Sequence, residues 1–207
     1  MKRKNSKSPS LKRPRATKIV GKTFLIVCEG KNTEPNYFNH FRKPTITIKT
    51  QGTGCNTISL VKEAEKYSKQ ESYDEVWCVF DKDDFLDNNF NQAIVNAETK
   101  NFKVAYSNES FEYWFILHFE DHQGGAMSRK HYNRKINGYI NPLGAVYDGD
   151  GDKKVSEAFF NLLKERVKFA IDRASRNHQR HINDGRTPAQ SNSSTTIYKL
   201  VEEILKH

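Results

Sequence analysis

Residues 76–84 read VWCVFDKDD, and residues 24–30 read FLIVCEG. Each is a short apolar run that stops abruptly in acid. Runs of this length, rich in β-branched and aromatic residues, are the pattern of strands buried on both faces. Working outward from them gives an alternation. Strands are expected at 23–28, 45–50 (TITIKT), 75–80 and 102–107 (FKVAYS), with helices at 33–42, 57–70 and 87–100 between them. Thr33 suits the cap of the first helix, and Glu34 and Pro35 suit its first turn. Ile58, Val61, Ala64, Glu65 and Tyr67 recur at helical spacing in the second. Strand–helix repetition implies an α/β fold, a parallel sheet flanked by helices and joined by right-handed crossovers. Beyond residue 110 the pattern turns helical, near 110–119, 128–137, 155–177 and 195–206, with loops expected at 141–152 and 178–194.

The acids matter because ligands of open parallel sheets bind outside the carboxyl ends of the strands. Glu29 follows the first strand, Asp81, Asp83 and Asp84 follow the third, and Glu112 lies just past the fourth. If the first and third strands are neighbours, Glu29 faces the Asp81/Asp83 pair across a crevice. Alternate spacing lets Asp81 and Asp83 point to one side of an extended chain. Clustered carboxylates repel in a low dielectric unless a cation meets them, and carboxylate oxygens suit Mg²⁺ or Mn²⁺. The competing reading is capping: acids after strands often stabilise the next helix, a role open to Asp84, Asp87 and Glu29 alike. Glu112 stands among Phe111, Tyr113, Trp114, Phe115, Ile116 and Leu117, so its helix should be buried. A metal, a basic partner, a cleft or its own helix N-terminus must then receive the charge.

The chain has 207 residues and a formal charge of +9, from 34 basic and 25 acidic residues. Nine of the basic residues and none of the acidic ones fall in 1–22, which leaves 25 against 25 in the rest. The expected organisation is a disordered basic arm over 1–22, able to hold phosphate backbones non-specifically, and one neutral domain over 23–207. No run of 18 apolar residues predicts a membrane span, and no apolar signal segment follows the basic start. Cys28, Cys55 and Cys78 have neither disulfide-framework nor zinc-ribbon spacing, and they read as small buried residues of a cytoplasmic protein.

Lys31, in the turn after the first strand, could contact phosphate or simply be solvated, and QGTGCNT at 51–57 could cradle phosphate or simply turn the chain. GKT at 21–23 is no P-loop, because Ala16 stands where the motif needs glycine and the segment precedes its strand. DGDGD at 148–152 fails as a calcium loop, with Lys153 at position six and Phe159 at position twelve, and reads as a turn from which Lys153 and Lys154 could reach the cleft. His118 reads as a core histidine. Arg173, Arg176, His178, Arg180 and His181 form either a phosphate patch or a solvated basic face.

VCEGKNTEPNYF at 27–38, VFDKDDF at 79–85, SNESFEYWFILHF at 107–119 and SSTTIYKLVEEIL at 193–205 resemble the signature blocks of the RloB-like family, grouped with Toprim domains. That resemblance implies a Rossmann-like Toprim sheet with helical C-terminal additions. It implies that Glu29, Asp81 and Asp83 bind Mg²⁺ or Mn²⁺ and, with Glu112 as an auxiliary group, support phosphodiester chemistry on RNA or DNA. It also implies an antiphage, abortive-infection effector restrained by an ABC-like or AAA-type ATPase. The family's usual proline is replaced here by Glu109, which adds charge at the rim. Beside a metal-dependent nuclease, a non-catalytic nucleic-acid-binding or adaptor subunit with a regulatory metal site fits the same residues. Lys31, Lys153, Arg176 and Arg180 are the expected nucleic-acid contacts.

Overall fold

The computed structural model describes residues 21–54 and 57–207. Cys55 and all but the last two residues of the expected basic arm lie outside them. Strands β1 (Lys22–Cys28), β2 (Ile46–Gly52), β3 (Glu75–Asp81) and β4 (Lys103–Asn108) are parallel. A two-residue β5 (Ser194–Thr195) runs antiparallel to β4, and the sheet order is β2-β1-β3-β4-β5. Helices α1 (Thr33–Asn39), α2 (Thr57–Ser68) and α3 (Asp87–Glu98) make the crossovers. The chain steps outward from β1 to β2, then returns across β1 to β3. The order therefore reverses between β1 and β3, which makes the crevice at their carboxyl ends the switch point of the sheet.

Side chains alternate across the sheet with period two. Phe24, Ile26, Cys28, Trp77 and Val79 enter the larger core, and Leu25, Val27, Cys78 and Phe80 enter a second core under α2 and α3. The larger core is closed by α4 (Glu112–Phe119), α5 (Tyr132–Ile140), α6 (Glu157–Asn183) and α7 (Ile197–Leu205). As its apolar composition demands, α4 is buried on every side from Tyr113 to His118. Trp114 Nε1 donates to Tyr37 Oη at 2.9 Å and joins α4 to α1. His118 is a core residue: Nδ1 lies 2.8 Å from the Trp114 carbonyl, and burial pushes its pKa down to about 3, so it is neutral. Cys28 and Cys78 are free, buried thiols.

Several local expectations need correction. Lys22 belongs to β1, not to an arm, because Glu75 and Glu203 hold its ammonium at 2.7 and 2.6 Å. Asn32, not Thr33, precedes α1, and Thr33 instead exchanges a 3.1 Å hydrogen bond with Tyr147 Oη. Asp87 does not cap α3 but pairs with Lys82 at 3.2 Å. On α2, Ile58 is exposed and Glu65 pairs with Lys69 and Lys100. α6 runs to Asn183, so residues 178–183 are helix, not loop. The buried stripe of Ala170, Ala174, Asn177 and His181 carries it through a polar stretch. Among the described residues no helix is long and apolar enough to cross a membrane.

Two glycines test how rigidly the β1–α1 turn is packed. A Cβ on Gly52 would meet the Gly30 carbonyl oxygen and Lys31 Cα, both at 2.7 Å, whereas one on Gly138 meets nothing within 4 Å. Gly52→Ala should therefore destabilise by ~1–3 kcal/mol in urea unfolding. Gly138→Ala, inside α5, should stabilise by about 0.5–1 kcal/mol. Equal midpoints for the two variants would contradict this packing.

Candidate functional site

The switch-point crevice opens into a cleft of about 480 Å³ lined by Glu29, Glu34, Asp81, Asp83 and Glu112. Each acid is placed by the chain around it. Glu29 N donates to the Val79 carbonyl at 2.9 Å, so β1 leaves the sheet against β3, and Glu29 Oε2 accepts from Asp81 N at 3.2 Å. Asp81 Oδ2 accepts from Phe111 N at 3.0 Å, just before α4. Asp81 Oδ1 is closed off from solvent and has no hydrogen-bond partner. The chain does not stay extended beyond it. Asp83 has φ 39°, in the left-handed region that aspartate tolerates better than most residues, and its N–H donates to the Glu109 carbonyl at 3.0 Å. That turn, not strand alternation, brings Asp83 to the cleft. Glu112 accepts from Ser110 Oγ and from Tyr147 Oη, both at 2.8 Å.

Glu34 was expected only to favour its helix's first turn, yet it is one of the most enclosed acids, 4% exposed. Gly30 N donates to its Oε1 at 3.2 Å, and a Cβ on Gly30 would sit 2.2 Å from Oε2. The glycine after Glu29 thus makes room for a second carboxylate. The cleft's cations are Lys31 and Lys153, as expected, together with Arg129 and Lys130, which the sequence reading missed. Arg129 contacts Asp83 Oδ1 through Nη1 and Asp84 Oδ2 through Nη2 at 3.1 Å. Asp84 is thereby a rim partner of Arg129, with its side chain 94% exposed.

Arg176 and Arg180 are not among the residues lining the cleft. Arg176 pairs with Asp121 and Arg180 donates to the Gln123 carbonyl, so both fasten the chain after α4 onto α6. Arg173 does the same to the Leu117 carbonyl at 2.8 Å, His178 meets Tyr198 Oη at 3.1 Å, and His181 meets the Ser193 carbonyl at 3.3 Å. Structural partners take up the expected phosphate patch. In the 51–57 segment, Thr53 N and Gly54 N donate to the Cys28 and Glu29 carbonyls at 3.0 and 2.8 Å, which makes those donors part of the turn.

Burial dominates the electrostatics. It raises Glu29 to about 7, with the charges of Asp83 and Glu34 adding and the Asp81 N–H opposing. It raises Glu34 to about 7, with Glu112 adding. It lifts Asp81 well above the usual carboxylate range, with Glu34 and Asp83 adding, and it lifts Asp83 against the pull of Arg129. Hard oxygen donors and a buried, unpartnered Asp81 oxygen fit a divalent cation such as Mg²⁺ or Mn²⁺. Among the described residues, however, no three His, Cys, Asp or Glu are already drawn together closely enough to hold one. Backbone N–H groups hold one oxygen each of Glu29 and Asp81, and Arg129 is against Asp83.

Glu34 permits a pH test of the cleft's buried charge. Its folded pKa of about 7 exceeds the ordinary 4.5, so the folded state binds the extra proton between these values. The stabilising contribution is complete below pH 4.5 and disappears as pH rises through 7. In EDTA, Glu34→Gln should come nearest to the wild type near pH 4 and exceed it near pH 8 by on the order of 2 kcal/mol in urea unfolding. Parallel pH profiles would refute the assignment.

No curated protein and no solved structure matches the chain. The family model described as RloB-like protein matches residues 24–204, which takes in Glu29, Glu34, Asp81, Asp83, Glu112 and Asp150, the six acids that line the cleft. The chain belongs to the RloB-like protein family.

Proposed function

We propose that the chain is a Toprim-type nuclease that hydrolyses phosphodiester bonds of RNA or DNA with Mg²⁺ or Mn²⁺. The observation that supports this most is Asp81 Oδ1, a buried carboxylate oxygen without a partner at the switch point of the sheet. Asp81 and Asp83 would hold the cation, and Glu29, from the adjoining strand, would complete the set. A cation held there would polarise the scissile phosphate and offset charge growing on the leaving oxygen. Glu112, aligned by Ser110 and Tyr147, orients the remaining groups. Glu29, raised to about 7, is suited to exchange a proton near neutral pH. Lys31, Lys130 and Lys153 supply the positive rim that a phosphate chain needs next to so many acids.

The family likeness extends this reading to an antiphage effector restrained by a partner ATPase. The chain's only GKT lacks the glycine of a P-loop, which fits a reading in which an ATPase activity belongs to a separate partner.

Single-stranded RNA, tRNA and supercoiled DNA should be incubated with the protein in Mg²⁺, Mn²⁺ or EDTA. Cutting should require the cation and fall by about 100-fold or more in Glu29→Gln and Asp81→Asn, the loss expected when transition-state charge stabilisation worth a few kcal/mol is removed. Binding without cutting, indifferent to both substitutions, would replace the nuclease reading with that of an adaptor. Cutting at the same rate with and without an ABC-like or AAA-type ATPase partner would remove the restraint but leave the nuclease.

A further inference from the structure

Arg129 is held at its backbone, and its tip is paired at the rim of the cleft. Its N–H donates to Glu109 Oε2 at 2.9 Å, and it opens a single 3-10 turn, Arg129–His131, preceded by Ser128. Its side chain remains 43% exposed and spans Asp83 and Asp84. The Asp83 contact is a close ion pair that raises the Arg129 pKa and pulls against the burial of Asp83. The Asp84 contact is a rim pair of the weak, solvent-screened class. The planar guanidinium thus divides its fork between two separate carboxylates, one of them fully at the surface, instead of gripping one anion with both arms.

Resting on the nuclease reading, we propose that Arg129 is a cation-gated phosphate ligand. A divalent cation and the guanidinium compete for Asp83. The cation's double charge and its need for oxygen ligands favour it at that carboxylate, and two positive centres on one oxygen repel. Arg129, anchored through Glu109, then turns its fork onto the substrate phosphate lying along the Lys31, Lys130 and Lys153 rim. The same side chain thereby keeps Asp83 neutralised until the cation arrives and helps hold the phosphodiester afterwards. Cation and nucleic acid become mutually reinforcing ligands through one exchanged contact.

Lys130 is the internal control, because it carries the same charge in the same turn and has no ion pair with Asp83. Mn²⁺ binding, followed by electron paramagnetic resonance, should be about tenfold tighter in Arg129→Ala than in wild type and should change by less than about threefold in Lys130→Ala. A labelled single-stranded oligonucleotide, RNA and DNA in separate arms, should bind wild type about tenfold more tightly in Ca²⁺ than in EDTA, and Arg129→Ala should lose most of that gain. Lys130→Ala should weaken binding equally in both buffers. Circular dichroism should show both variants folded, since the side chains are at the rim. Equal Mn²⁺ affinities for the two variants, or an intact Ca²⁺ gain in Arg129→Ala, would overturn the exchange. If that occurs while wild type binds Mn²⁺ and cuts, the nuclease reading stands alone; wild type that binds no Mn²⁺ would end both.

Discussion

Carboxylates brought together out of water are the constraint around which the carboxyl edge of the sheet is arranged. An ionised acid in a low dielectric must find a proton, a cation or several N–H donors. At the opposite edge the protein uses cations. Burial works against Glu75, but hydrogen bonds from Lys103, Lys22 and Trp77 hold its pKa below the usual carboxylate value. At the switch point the outcome is reversed, and Glu29, Glu34, Asp81 and Asp83 are all raised. One fold thus treats acids at its two edges in opposite ways. A scaffold selected only for stability would treat them alike, so the under-neutralised edge is where function is to be sought.

That edge is maintained by elements with little freedom to yield. β1 and β3 pair directly, α4 is enclosed on all sides, and Phe111 at its start gives a backbone N–H to Asp81. Tyr147 reaches across from the segment before α6 to donate to Glu112 and contacts Thr33 in α1. The first core therefore fixes the cleft floor through three separate stretches of chain. Moving one carboxylate would mean repacking large aromatic side chains, in an interior where even small volume changes are felt. The rim is built differently: Arg129 and Asp84 are exposed and Lys153 adopts φ 55° in a turn. Enclosed acids below exposed cations is an arrangement in which an ion pair at the rim can change without repacking the core.

The strands and the meeting of Glu29 with Asp81 and Asp83 were legible in the sequence because buried strands and their polar ends leave short, sharply bounded patterns. Glu34 was not, because an acid in a first helical turn has an ordinary explanation and only the close approach of Gly30 shows otherwise. Arg129 had no local signal, since its meaning depends on a loop folding back over residues 45 positions away. Arg176 and Arg180 misled for the converse reason. A basic run on a helix resembles a phosphate patch until its carbonyl and carboxylate partners are known. β5 is two residues long, too short to carry any period.

Overall charge concealed the same feature. Residues 23–207 balance 25 basic against 25 acidic residues, which suggests a body indifferent to polyanions. Placement decides otherwise. Acids concentrated on the cleft floor, with Lys31, Arg129, Lys130 and Lys153 around them, make a local field that changes sign over the reach of a side chain. A phosphate chain approaching such a surface meets the cations first, while a small divalent ion can pass between them to the acids. A neutral total is compatible with the proposed pairing of a cation and a phosphate chain, because the sorting is done by where the charges sit and not by their sum.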